Sequence, residues 1–334
     1  MKLVRSEVRR TPEPLRVKPA SPSQTFPPQL LWLLVGLTLG WGLNWPIMKL
    51  VIREMAPMHF RTMCLVGGAV GLFSLARMSG LPIRVPAGQW PRLVALGLVN
   101  MTGWNILAIY GVSLMASGRA AILGYTMPAW GVLLSAWLLG EPLTRRRAFG
   151  VGLGVVGMLV LMGSEVQAVG RSPVGALCMI LAALTWAMAT VMLKRWPVDL
   201  PTSSLTAWQM VIGVVPILAI ALAVERGPFS PFALSLWPML GSFYNILVAF
   251  IFCYWAWTKI AIQAPVGVSS LAVMMVPVVG VFSGVLVLGE TPHWQDYAAL
   301  VLVVGSLATV MLPPGTARSE SAVRGPDDVG ESRG

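Results

Sequence analysis

Residues Gly124–Leu143 read GYTMPAWGVLLSAWLLGEPL, and Val273–Pro292 read VMMVPVVGVFSGVLVLGETP. At a constant offset of 149 residues, Pro128 meets Pro277, Gly131 meets Gly280, and Leu139-Gly140-Glu141 meets Leu288-Gly289-Glu290. Gly118 meets Gly267 at the same offset. Earlier in each half, LGW at Leu39–Trp41 resembles LTW at Leu184–Trp186, and Lys49 resembles Lys194. Self-similarity at a fixed spacing marks a duplicated unit, so the chain reads as two halves.

Composition says what the halves are made of. Of 334 residues, 56% are hydrophobic and 11% charged, with a mean hydropathy of +0.74. A soluble domain carries about 25% charged residues, so this chain lacks the polar surface to coat a globule and reads as an integral membrane protein. A membrane helix needs roughly 20 apolar residues. Reading between charged and Pro/Gly breaks gives ten such runs, near 30–52, 58–78, 90–111, 116–139, 147–163, 173–193, 203–224, 235–258, 264–288 and 293–312. The first run continues from Leu30 with no small-residue cleavage site, so it reads as an uncleaved helix rather than a signal peptide. The expected organisation is a disordered tail at 1–28, a first five-helix repeat at 30–163, a second at 173–312, and a disordered tail at 313–334.

The net charge of +11 belongs to topology rather than nucleic acid, because no basic face with interleaved aromatics is present. With a cytoplasmic N-terminus, eighteen of the 24 Lys and Arg residues fall on the inside, among them Arg145-Arg146-Arg147, Lys194 and Arg195. Lys49, Arg53, Arg61, Arg119, Arg171 and Arg226 fall outside. This bias follows the positive-inside rule, and an even number of spans returns the C-terminus to the cytoplasm. Five spans per half is odd, so the second half enters the membrane from the opposite side. Arg145-Arg146-Arg147 accordingly falls opposite Trp294-Gln295-Asp296, where positive charge is disfavoured. Inverted repeats are a mark of secondary transporters, with the substrate site near the bilayer midplane between the halves.

The stretches WGLNWPIMK (Trp41–Lys49), PAWGVLLSAWLLGE (Pro128–Glu141), LTAWQM (Leu205–Met210) and PVVGVFSGVLVLGE (Pro277–Glu290) resemble the EamA group of the drug/metabolite transporter superfamily. The resemblance covers about 30 to 312 and implies a ten-helix inverted-repeat carrier of small metabolites, often outward, with both termini cytoplasmic. Members with similar motifs include amino-acid exporters. The motifs report fold more than substrate. The location implied is the cell (inner) membrane.

All thirteen acidic residues lie in tails, loops or helix ends, and His59 and His293 lie at helix ends. Without a carboxylate at depth, a proton relay of the usual kind is not expected, and facilitated export or exchange fits better. No Asp-rich metal motif, H-E-x-x-H or paired Ser and His at depth is present, so neither enzyme activity nor a metal or cofactor is expected. Cys64, Cys178 and Cys253 sit in apolar runs and read as core.

Several candidate residues line up for a substrate pathway. Pro128 and Pro277 each remove a backbone donor at matched places, which suits either a packing kink or a binding site, since interrupted helices in two halves point to one. Tyr125 is a turn before Pro128. Trp41, Trp104, Asn105, Trp186, Gln209 and Tyr254 fall within spans, whereas Trp32, Trp90, Trp237 and Trp294 read as interfacial belt residues. Asn44 lies roughly 21 Å along the first helix at 1.5 Å per residue, where lipid offers it no partner, so its face must look inward. Lys49 lies near the outer end, where its ammonium can snorkel to headgroups. The corners Gly140-Glu141 and Gly289-Glu290 read as capped turns, with gating as the alternative. A cavity of aromatics, Met274, Met275 and amides suits an amino acid or small amphiphile. A phosphorylated substrate would want paired cations at depth, and only Arg61 and Arg119 come near. The expected protein is a monomer in the bilayer that moves a small molecule by alternating access between its halves. A channel-like facilitator for small neutral solutes is the alternative.

Overall fold

Long runs of Leu, Ala, Val and Met with no polar backbone partner nearby satisfy their own amides as helices. The computed structural model describes residues 28–167, 173–226, 233–257 and 266–311, and among them there is helix and loop but no strand. The expected disordered tails lie outside the described residues, apart from Pro28, which opens the first helix.

Among the described residues, ten helical rods follow in order. They are α1 (Pro28–Val51), α2 (Pro57–Met78), α3 (Trp90–Leu114), α4 (Ser117–Leu139), α5 (Arg145–Gln167), α6 (Val174–Arg195), α7 (Thr202–Val224), α8 (Leu236–Trp257), α9 (Val266–Leu288) and α10 (Trp294–Met311). Six of them, α2, α3, α4, α6, α7 and α8, are long and apolar enough to cross a membrane. Their outward faces carry exposed Leu, Val and Phe, and Trp32, Trp90, Trp237 and Trp294 are exposed as belt residues need to be.

Three rods are irregular. α3 widens into a π-helical stretch at Gly97–Gly103, and α8 does so at Asn245–Phe252, nearly the same place at the repeat offset. α4 breaks at Tyr125-Thr126, and Pro128 sits in the first turn of the segment that restarts at Met127. The expected match at Pro277 is incomplete: α9 runs through this residue as one helix.

The packing has its own correspondence. α2 lies on α7, α5 on α10, and α4 on α9; α1 lies on α9 as α6 lies on α4, and on α8 as α6 lies on α3. The α1–α9 seam is tight enough that a Cβ on Gly42 would stand 2.4 Å from Val279.

α4 and α9 end alike. Gly140 and Gly289 take φ of +69° and +66°. The following amides fold back, Glu141 N to Ser135 O at 3.3 Å and Glu290 N to Gly284 O at 3.2 Å. A Cβ at either glycine would meet nothing within 4 Å, so conformation rather than space demands glycine there. Gly289→Ala should therefore cost about 1–2 kcal/mol. Gly131→Ala, in open space on a regular helix, should leave stability unchanged or gain about 1 kcal/mol. Thermal unfolding of the two variants checks this, and equal melting temperatures would remove the left-handed corner from the account.

Candidate functional site

The irregular rods meet at one chamber. In a π-helical stretch the extra residue per turn loosens the backbone ladder and re-aims the side chains that follow. After the α3 stretch come Trp104 and Asn105; after the α8 stretch comes Tyr254. The break in α4 presents Tyr125. α1 contributes Trp41 and Asn44, and α6 contributes Trp186. These seven expected residues share the chamber wall with Trp45, Met48, Arg61, Met127, Phe250 and two alanines. The chamber is tight, about 80 Å³, or room for a few waters.

Its walls are aromatic and interlocked. Trp104 meets Trp186 edge-on at 5.0 Å between centroids, Trp186 stacks on Tyr254 at 6.5 Å, and Tyr254 meets Trp41 edge-on at 5.8 Å. The Trp41 indole donates to Ala249 O at 3.2 Å, inside the widened α8 stretch, and Tyr244 OH donates to Gly40 O at 2.8 Å. These bonds hold the α1 face expected to look inward.

Polar groups within the chamber are incompletely satisfied. Asn105 Nδ2 donates to Met101 O at 2.8 Å, but Asn105 Oδ1 has no partner, and neither has Asn44 Oδ1. Each is a buried acceptor that costs free energy until a donor arrives.

A second space of about 380 Å³ continues from the chamber, sharing Trp41, Tyr125, Met127, Trp186 and Tyr254 with it. That volume lies within the range of roughly 300–1,000 Å³ usual for small-molecule sites. Pro128 and Gln209 line this vestibule, with Thr190, Leu193 and Thr202 toward the end of α6 that carries Lys194 and Arg195. Gln209 Oε1 accepts from Asn100 Nδ2 at 2.9 Å. Pro277 is buried and lines neither space, because its unbroken helix packs it into the α9 seam.

At the other end, polar side chains cross the rods. Glu290 accepts from Ser117 N at 2.7 Å, Ser117 Oγ at 3.0 Å and Gly118 N at 3.2 Å, so a carboxylate sits on the positive N-terminus of α4. Lys49 Nζ donates to Met115 O at 2.5 Å and lies 3.5 Å from Glu290. The expectation that Lys49 anchors in headgroups is thus corrected: a carbonyl and a carboxylate at hand outbid the interface. The pair Arg119–Asp296 closes at 2.6 Å, and Glu225 accepts from Met58 N and His59 N at 2.6 and 2.9 Å at the start of α2. The cleft among Lys49, Arg119 and Glu290 shares no lining residue with the chamber.

The other corner is looser. Glu141 pairs with Lys194 and, at 3.3 Å, with Arg147. The Lys194 ammonium holds the Glu141 carboxyl below the usual carboxylate range. Lys49–Glu290 and Lys194–Glu141 are the same pairing made twice, each time between a Lys of one half and a Glu of the other. Sequence reading singled out the corners but missed these cross-rod pairs, since a matched Lys and a matched Glu do not announce that they meet. It also placed Arg61 among the outside charges, whereas this residue is 3% exposed in the chamber wall.

The profile of the EamA-like transporter family matches residues 29–163 and again 173–312. Among curated proteins, the chain is 29% identical over 261 residues to the uncharacterized transporter YoaV of Bacillus subtilis (strain 168), covering 77% of this chain and 88% of that one. It is 24% identical over 275 residues to a probable amino-acid metabolite efflux pump of Salmonella typhimurium, covering 80% and 89%. With the aromatic amino acid exporter YddG of Ancylobacter novellus it shares 31% identity over 189 residues, 55% of this chain and 61% of the exporter. A solved crystal structure superposes with a TM-score of 0.62 at 19% identity, over 84% of this chain and 96% of that one, a likeness of fold alone. The aromatic chamber, the two-fold match of the profile and these relatives agree: the chain belongs to the EamA-like transporter family.

Proposed function

We propose that this protein exports a small metabolite, an amino acid or similar amphiphile, across the cell (inner) membrane by alternating access between two inverted five-helix repeats. The observation that carries the reading is the one-sided chamber. An aromatic site at the seam of the halves continues into a vestibule toward the Lys/Arg-bearing end, while bonded side chains cross the opposite end. This is the arrangement of a carrier open to the inside. The packing correspondence, the matched π-helical stretches and the doubled profile match support the repeat, and the charge distribution supports cytoplasmic termini. The relatives named as amino-acid exporters support the substrate class.

Transport tests the function. Proteoliposomes loaded with phenylalanine should show saturable uptake of labelled phenylalanine by counterflow, which a channel does not give. Metabolites accumulating outside overexpressing cells and missing from deletion cells extend the search to other substrates. Topology has its own test. In a chain with native cysteines replaced, Arg146→Cys should be shielded from an impermeant thiol reagent outside the cell and Gln295→Cys labelled by it. Equal labelling of both from one side would sink the inversion.

Asn44 separates a site role from a packing role. Its Oδ1 has no partner to lose, so Asn44→Ala should leave the melting temperature nearly unchanged. If substrate supplies the missing donor, the loss should be about 1–3 kcal/mol, or roughly 5- to 150-fold in affinity. Unchanged binding with a lower melting temperature would move Asn44 out of the site.

A further inference from the structure

Arg61, near the start of α2, is 3% exposed and lines the aromatic chamber. Its Nη2 reaches the Met48 sulfur, its guanidinium carbon lies 5.5 Å from the Phe60 ring centroid and 5.8 Å from that of Phe250, and its Nε has no hydrogen-bond partner. A thioether is a weak acceptor, and ring faces only soften the loss of water. The six acidic residues whose side chains the structure describes are committed elsewhere. Glu54 bonds Ser235, Glu141 bonds Lys194, Asp199 bonds Gln89, Glu225 caps α2, Glu290 caps α4, and Asp296 holds Arg119.

A guanidinium does not shed its proton. Buried without a counter-ion it destabilises the fold, and more so at membrane depth. Arg119 shows how this chain treats such a charge when the purpose is structural: it supplies an aspartate. At Arg61 the negative charge must come from what enters the chamber. The planar fork of N–H groups fits a carboxylate. A phosphate dianion would call for a second cation, and no other Lys or Arg lines the chamber. Asn44 Oδ1 and Asn105 Oδ1, unpartnered acceptors in the same wall, suit a donor on the same molecule, and Trp41, Trp104 and Trp186 suit an apolar tail.

We propose that Arg61 is the anchor for the substrate's carboxylate, so the chamber selects amphipathic carboxylic acids, amino acids among them, and rejects the same molecule with its carboxylate masked. The proposal rests on the chamber being the transport site. The test uses the full-length protein in nanodiscs, with binding read by tryptophan fluorescence and by thermal unfolding. The probes are phenylalanine, 3-phenylpropionate and phenylalaninamide. Both acids should bind and raise the melting temperature, and the amide should bind at least tenfold more weakly. Arg61→Met should weaken acid binding by about 10- to 100-fold, without lowering the melting temperature of the empty protein, since an unpaired buried charge is removed. A merely structural arginine would instead lower it. Where Arg61→Met does not fold, Arg61→Gln takes its place, and the acid-to-amide comparison in the unaltered protein needs no variant.

Equal binding of acid and amide, unchanged acid affinity in Arg61→Met, a chloride-induced shift matching that of the acids, or no binding of either acid would each overturn the proposal. Acid binding that depends on Arg61 without any counterflow in proteoliposomes would keep the anchor and remove the carrier.

Discussion

Asp296→Ala should destabilise the folded protein by about 3–5 kcal/mol. The aspartate is 4% exposed and Arg119 is 7% exposed. Two contacts join them, Arg119 Nε to Oδ1 at 2.6 Å and Nη2 to Oδ2 at 3.4 Å. Oδ2 also accepts from His293 N at 2.7 Å, so the same carboxylate caps the start of α10. Truncation leaves a buried guanidinium without its carboxylate and frees a helix N-terminal amide. The larger share of the loss comes from the stranded charge. Replacing both partners, as Arg119→Met with Asp296→Leu, should therefore recover much of it, because a well-packed apolar pair costs no desolvation. Melting of the two variants side by side decides the matter. A single variant as stable as the parent would mean that water reaches the pair and screens it.

That pair also marks a limit of sequence reading. Arg119 and Asp296 are 177 positions apart. Nothing in either local stretch says that the two meet, whereas Gly140-Glu141 and Gly289-Glu290 are legible because repetition doubles the signal. The rod order was legible for a similar reason: hydrocarbon tolerates few backbone solutions, and charge placement fixes where the rods turn. Trp41, Asn44, Trp104, Asn105, Tyr125, Trp186 and Tyr254 could be gathered from the sequence because aromatics and amides inside apolar runs are costly to present to lipid. Arg61 was not gathered, because an arginine close to a helix start ordinarily reaches water. Its burial is decided by the rods around it, with Phe250 of the widened α8 stretch against its guanidinium. The π-helical stretches carry no local signature at all. Pro277 misled for the opposite reason, since the residue that starts a new segment in α4 is absorbed into a continuous α9.

The corners carry the remaining large effect. Glu290→Ala should cost about 2–3 kcal/mol, because it strips two amides and a hydroxyl at the start of α4 of their acceptor and leaves Lys49 with a carbonyl but no carboxylate. Glu290→Gln keeps one acceptor oxygen and loses the charge, so about 1 kcal/mol is expected. Glu141→Gln at the looser corner should cost less, since its ion pairs are more open to solvent. Acid reads the Glu141 corner on its own. A carboxyl held below its ordinary value contributes stability that is full above that value of 4.5 and is lost as pH falls through the lower folded value. The Glu141 corner should loosen only in that acid range. If Glu290 serves the fold, its variants lower the yield of folded protein while each folded molecule still transports. A well-folded, well-expressed Glu290→Gln that moves no substrate would instead make this corner a gate, one that must release α4 before the chamber can open at that end.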